Sequence, residues 1–163
     1  IGPCVGIDQG DDLWVARYLL GRVSEKYNVS IDYEPKPLKD KEDCEDESWN
    51  GSGCHANFST KNMRQGKYEN NGLYYIESAI DKLSLKHKEH MDVYGSGNKD
   101  RMTGKHETAS FDIFTKGVVN RGASIRIGTE NYNNKQGYFE DRRPSSNCDP
   151  YLVTSKIFET CCL

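Results

Sequence analysis

Histidine, an amide and a hydroxyl recur at every second position of Cys54-His55-Ala56-Asn57-Phe58-Ser59, directly after the glycine turn Asn50-Gly51-Ser52-Gly53. In an extended chain successive side chains point to opposite faces, so His55, Asn57 and Ser59 share one face and Cys54, Ala56 and Phe58 the other. The first face suits a metal and a polar ligand such as a nucleotide, and equally an ordinary half-exposed strand with a solvated His55. A second group is Gly137-Tyr138-Phe139-Glu140-Asp141-Arg142-Arg143-Pro144. If extended, it puts Glu140 and Arg142 on one face: a hard oxygen ligand for Mg²⁺ or Mn²⁺ beside a guanidinium that can grip phosphate with two hydrogen bonds. A surface ion pair worth less than about 1 kcal/mol has the same spacing. Two further arginines precede it, Arg121 and Arg126, and Arg126 alternates with Ile125 and Ile127, which turns it away from the core.

A third group, Arg101-Met102-Thr103-Gly104-Lys105-His106-Glu107-Thr108, reads as a glycine-hinged loop with an acid and a base, the makings of a lid. His106-Glu107 does not begin an HExxH zinc motif, since positions 109 and 110 are Ala and Ser, and no GxSxG or Walker A string occurs. His87 and His90 stand three apart on one helical face, but Lys86 and Lys88 would repel a cation there, so a solvated pair is expected. Gly95-Ser96-Gly97 is a flexible turn, too short for a phosphate loop.

These residues need elements to hold them. Asp12 to about Lys26 reads as a helix capped by Asp11 or Asp12, its broad apolar stripe of Leu13, Val15, Ala16, Leu19, Leu20 and Val23 facing a core. Fifteen residues give roughly 22 Å, enough to lie across a sheet. Val29 to Tyr33 alternates as an edge strand, ended by Glu34-Pro35-Lys36-Pro37. Asp40 to Glu47, with six acids and one Lys, reads as a solvated loop. Asn71-Gly72 breaks the chain before a second helix, from about Leu73 to Met91, with Ile76, Ala79, Ile80 and Leu83 inward. Ala123 to Ile127 and Tyr138 to Arg143 read as strands joined by the polar loop Thr129 to Gln136, and Val153 to Leu163 as a closing helix.

At 163 residues the chain has room for one core. No apolar run approaches the roughly 20 residues that span a bilayer, which argues against a membrane protein. With 22 basic against 25 acidic side chains, nothing recruits nucleic acid wholesale. Six cysteines, at 4, 44, 54, 148, 161 and 162, fit no zinc ribbon, CxxC or compact disulfide scaffold, so reduced thiols and a cytoplasmic location are expected. The sequons at Asn28, Asn50 and Asn57 point the other way. The absence of an initial Met hints at a piece of a longer product.

The strings IGPC, GDDLWVARYLL, PKP, WNGSGCHANFST, TGKHET, GASIRI and GYFEDRRPSSNCDP, in that order and covering nearly the whole chain, resemble the later part of the catalytic domain of eukaryotic-type glutamine synthetase. The resemblance implies an α+β fold, a mainly antiparallel sheet flanked by helices, with residues 1–163 as a single C-terminal catalytic-domain fragment. The family's small N-terminal domain and first catalytic-domain strands would lie outside it. It further implies ATP-dependent ligation of ammonia to glutamate through γ-glutamyl phosphate, with Mg²⁺ or Mn²⁺, in a homo-oligomer that is a decamer in the family. Residue by residue, it implies His55 and Glu140 as metal ligands, and Asn57, Ser59 and Arg126 as ATP contacts. Arg101 and Arg121 would hold the glutamate carboxylates. Arg126 and Arg142 would steady the transferring phosphoryl group, and Glu107 would be the lid glutamate that helps take a proton from ammonium.

Three departures stand out. Val5 occupies a family position for a metal-binding Glu and offers no oxygen. An acidic insertion spans residues 38–48, and the turn Gly95 to Asp100 is short. Val5 keeps a second reading open, a catalytically impaired glutamine-synthetase-like structural or binding protein.

Overall fold

The computed structural model describes residues 1–37, 50–67 and 69–163. The acidic segment expected as a solvated insertion therefore lies outside the described residues, as does Cys44. The elements run α1 (Asp8–Lys26), β1 (Ala56–Phe58), α2 (Lys61–Gln65), α3 (Gly72–Leu85), α4 (His87–Met91), α5 (Asn98–Arg101), β2 (Lys116–Val118), β3 (Ile125–Ile127), α6 (Thr129–Asn133), β4 (Phe139–Asp141) and α7 (Pro150–Cys162).

The strands form one sheet in the order β1-β4-β3-β2, antiparallel except for the parallel pair β2 and β3, which is the α+β arrangement expected. Register decides the two faces. Asn57 stands opposite Glu140 and Glu140 opposite Arg126, so these three form one row across the sheet. The flanking rows send Ala56, Phe58, Phe139, Ile125 and Ile127 to the other face, where they join one apolar cluster with Ile76, Ala79, Ile80 and Leu83 of α3 and Val153 and Ile157 of α7. One sheet face is thus core and the other is polar and open.

Local chemistry explains where α3 and α7 begin. The Asn71 side chain accepts the Tyr74 N–H at 3.1 Å, and Asp149 accepts those of Tyr151 and Leu152 ahead of a Pro in the first turn. The long helix expected to run from Leu73 to Met91 is two helices, because Lys86 leaves helical geometry at φ −105° and ψ 13°. The polar loop after β3 contains the short α6.

Two expectations fail at the N-terminal end. Val29 to Tyr33 forms no strand: a strand needs a hydrogen-bonded neighbour, and among the described residues none lies beside it. Its last carbonyl, Tyr33 C=O, instead accepts the Ser146 hydroxyl at 2.7 Å. Helix α1 starts earlier than expected, without a side-chain cap, and its apolar stripe does not face the core. Val15, Leu19, Leu20 and Val23 are each about half exposed, and Gly10 is the buried residue of the helix. The Tyr151 ring of α7 packs so closely on Gly10 that a Cβ would collide with it, and the Tyr151 hydroxyl reaches Asp11 at 2.5 Å. Periodicity fixes which side chains share a face, not which neighbour covers them. Among the described residues no helix is long and apolar enough to cross a membrane.

Candidate active site

Glu140 sits at the centre of the polar row. Its Oε1 lies 3.1 Å from His55 Nδ1 and accepts Arg142 Nη1–H at 3.2 Å. Its Oε2 lies 2.5 Å from Arg126 Nε but off the line of that N–H, an ion pair without a hydrogen bond. Burial raises the Glu140 carboxyl, but His55, Arg142 and Arg126 outweigh it and hold the group below the usual carboxylate range. The cluster is thus one largely buried anion between two guanidinium cations. Its surplus is positive, since two guanidiniums surround one carboxylate.

The strand geometry explains the convergence. Arg142 follows Glu140 by two along extended chain, and His55 precedes Asn57 by two on the neighbouring strand, so all four project to the same side. Asn57 is exposed opposite Glu140. Ser59, at the far end of β1, accepts Arg64 Nη1–H on its hydroxyl at 2.9 Å and makes no described contact with the Glu140 cluster.

The lid loop reaches the same place. Arg142 Nη2 donates to the Glu107 carbonyl at 3.2 Å and Arg142 Nε to the Arg121 carbonyl at 3.0 Å. Arg121 Nη1 in turn donates to the Glu107 carboxylate at 3.2 Å. His106 and Glu107 both hold positive φ, 52° and 61°, which side-chain-bearing residues adopt at a cost. His106, Glu107 and Arg142, together with Gly51, Gly53, His55 and Arg101, line a cleft of about 170 Å³.

Arg101 differs from a free substrate-binding cation. It is 5% exposed, and burial together with the charge of Arg142 brings it down to about 10, still charged at neutral pH. Its Nε donates to Asn98 Oδ1 at 3.0 Å, and Nη2 to the Arg143 carbonyl at 2.6 Å, with the Arg142 carbonyl at 3.3 Å. Only Nη1 is left toward the cleft. Gly51 and Gly53 make room for it: a Cβ on Gly51 would collide with the Arg101 stem, and one on Gly53 would come within 2.9 Å of both Arg101 Nη1 and His55 Nε2.

Behind β4 lies a network that the motifs did not reveal. Asp141 and Arg143 alternate with Glu140 and Arg142 and therefore point to the core face, where both are fully buried. Arg143 donates Nε and Nη2 to Asp141 at 2.9 and 2.7 Å, and Nη1 to His87 Nδ1 at 3.1 Å. His87 Nε2–H then donates to the Phe111 carbonyl at 2.9 Å. Asp141 can only accept, so Tyr94 O–H donates to it at 2.7 Å, His90 Nδ1–H to Tyr94 at 2.6 Å, and Thr160 O–H to His90 Nε2 at 2.9 Å. His90 is fully buried and His87 half-buried, so the expectation of a solvated pair is wrong. The clue lay in the strand pattern: two opposite charges at core-facing positions must pair with each other.

A divalent ion can be tested against this donor set. His55 Nδ1 and Glu140 Oε1, 3.1 Å apart, have the spacing of neighbouring ligands around an ion with bonds of about 2.1 Å. Nitrogen and carboxylate oxygen are suitable donors, so the pair fits. It supplies two ligands, and among the described residues no three His, Cys, Asp or Glu side chains converge.

No protein-family model matches the chain. Among curated proteins it is similar to the glutamine synthetase of Eremothecium gossypii, 57% identical over 99% of the chain. The glutamine synthetase of Saccharomyces cerevisiae is 55% identical over 99%, and glutamine synthetase root isozyme A of Pisum sativum 53% identical over 98%. The chain spans about two fifths of the length of these relatives, 41 to 42%. Identity of this order along almost every residue means that the chain belongs to the glutamine synthetase family, matching a C-terminal part of its members.

Proposed function

We propose that the chain is the C-terminal catalytic part of a glutamate–ammonia ligase, which makes glutamine from glutamate, ammonia and ATP through γ-glutamyl phosphate. The observation that carries this reading is the Glu140 carboxylate set between His55, Arg126 and Arg142 on an open sheet face. A carboxylate is a poor electrophile, so the ligation needs a phosphorylated intermediate, and stabilising it needs positive charge on several phosphoryl oxygens at once. Mg²⁺ or Mn²⁺ held by His55 and Glu140 would supply Lewis-acid polarisation of those oxygens. Arg126 and Arg142 would turn their guanidiniums from Glu140 toward the phosphoryl group. Arg121, and Nη1 of Arg101, would take the substrate carboxylates, while Asn57 and Ser59 would meet the nucleotide along β1. Glu107, on its strained loop, would close the cleft against water and accept a proton from ammonium. The cleft is smaller than the roughly 300 Å³ of a pocket enclosing a whole drug-sized ligand, so it suits a carboxylate and a phosphoryl group, with the nucleotide base outside it.

The full product would act as a homo-oligomer in the cytoplasm, its N-terminal domain and first catalytic strands outside residues 1–163. The test is ATP-dependent γ-glutamyl transfer to hydroxylamine by the complete gene product. The reading expects Glu140→Gln and Arg126→Ala to lower the rate at least a hundredfold, and fails if both leave it unchanged. A second reading, an impaired relative with a structural or binding role, is favoured by Val5, an exposed side chain without an oxygen where the family has a ligand.

A further inference from the structure

We propose that His87 is a positioning residue for the lid: it ties the exit of the loop that carries Glu107 to the guanidinium of Arg143, whose carbonyl already holds the loop's entry. The proposal rests on the reading of Glu107 as the lid carboxylate. The lid is a closed excursion of the chain. Thr103 bridges Ser110, Gly104 N–H donates to the Ala109 carbonyl at 3.3 Å, and Phe111 N–H to the Met102 carbonyl at 2.9 Å. At the tip His106 and Glu107 hold positive φ, a conformation that the tip does not keep on its own. Where Glu107 stands is therefore set by how the two ends of the loop are held at its base.

Both ends lead to Arg143. At the entry Arg101, directly before Met102, donates Nη2–H to the Arg143 carbonyl at 2.6 Å. At the exit the Phe111 carbonyl accepts His87 Nε2–H at 2.9 Å, and His87 Nδ1 accepts Arg143 Nη1–H at 3.1 Å. A guanidinium only donates and a carbonyl only accepts, so the imidazole bridges them as the neutral ring with its proton on Nε2. It lies edge-on to Phe114, ring centres 5.7 Å apart, which holds it between its two partners. Arg143 is a fixed anchor, fully buried and held on Asp141 by two hydrogen bonds. Its neighbour Arg142 meets the tip, donating Nη2–H to the Glu107 carbonyl at 3.2 Å. Base and tip of the lid are thus registered on two consecutive residues after β4. His87 is not among the residues that line the cleft, so its effect on the chemistry passes through the lid.

Two amide variants of the complete gene product separate the bonds. In His87→Asn the amide oxygen stands where Nδ1 was, keeping an acceptor for Arg143 but falling short of Phe111. In His87→Gln the longer side chain reaches the place of Nε2 and keeps the lid bond. Hydrogen–deuterium exchange across residues 102–111 reads the lid, and exchange in α3 reports whether the variant is folded. His87→Asn should speed exchange of the Phe111 amide about tenfold and His87→Gln should return it to the wild-type rate, with α3 unchanged in both. In γ-glutamyl transfer, kcat should fall about tenfold in His87→Asn with KM for ATP unchanged, because a displaced acid costs turnover and not nucleotide binding. A role confined to satisfying Arg143 gives the reverse order, a lid loosened by Gln and not by Asn, and that result overturns the proposal. So does a His87→Asn lid that exchanges at the wild-type rate. The wild-type protein decides even if neither variant folds: its Phe111 amide should exchange at least about tenfold more slowly than those of His106 and Glu107, and equal rates overturn the proposal. A complete product that forms no glutamyl hydroxamate sinks the ligase reading, while the exchange rates still decide the role of His87.

Discussion

Arg101 Nη2 donates to the Arg143 carbonyl at 2.6 Å, so the side chain expected to meet a substrate carboxylate also closes the turn that carries Arg142. Asn98 Nδ2 donates to the same carbonyl at 2.7 Å. Arg101→Ala leaves these buried acceptors and Asn98 short of donors, and should destabilise the chain by about 2 to 4 kcal/mol in urea unfolding. A residue that served substrate alone would leave the urea midpoint where it is.

The buried pair behind β4 should behave asymmetrically. Arg143→Met strands the Asp141 carboxylate, fully buried, and should cost about 3 to 5 kcal/mol, whereas Asp141→Leu with Arg143→Met should recover much of that loss. Chemical denaturation of the two single variants and the double variant measures this as a coupling energy. Additive losses would mean that the pair acts through something other than its charge.

Acid should weaken the same network through His90. Burial, and then the charge of Arg143, bring its imidazole down to about 4 from the usual 6.5. The folded state keeps it neutral while the unfolded chain takes up a proton, so its contribution is complete above pH 6.5 and is lost as pH falls toward 4. The loss should approach 3 kcal/mol, on the order of 1.4 kcal/mol per pH unit across that window. His87, lowered by burial, acts in the same direction. His90→Gln should flatten the pH dependence of the thermal midpoint between 4 and 6.5.

The isolated 163-residue chain should bind Mg-ATP weakly or not at all, since His55 and Glu140 leave most of a coordination shell to water. Titration calorimetry would contradict this by finding micromolar, metal-dependent binding. The half-exposed Leu19, Leu20 and Val23 on α1 should make the chain self-associate, with a weight-average mass that rises with concentration in sedimentation equilibrium.

Val5 separates the two readings of function. If position 5 is the metal-ligand position that the resemblance implies, its missing carboxylate should cost on the order of 10² to 10³ in rate, so the complete product should synthesise glutamine far more slowly than its Val5→Glu variant. A complete product that is already fully active, gaining less than about tenfold from the change, removes the impaired reading. A product that stays inert as Val5→Glu removes the ligase reading.

What depends on neighbours along the chain was legible in the residues alone. Alternation settled that His55 and Asn57 oppose Cys54, Ala56 and Phe58, that Glu140 lies beside Arg142, and that Arg126 turns from the core. The Asn71-Gly72 break preceded α3 as expected, whereas Asp149 caps α7 and starts it at Pro150, three residues before the expected Val153. What meets across the chain emerged with the fold. The β1–β4 register brings His55 to Glu140 over 85 residues, and nothing local fixes that pairing. The stripe of α1 and the alternation of Val29 to Tyr33 were legible as patterns, but burial and strand pairing need a second surface, which a one-dimensional pattern does not name. His87 and His90 looked solvated beside Lys86 and Lys88. In the fold the helix breaks at Lys86, and His90 turns inward to Tyr94 and Thr160 while His87 meets Arg143. A charge or an imidazole is buried only where the rest of the fold supplies its hydrogen bonds, and those partners come from distant segments.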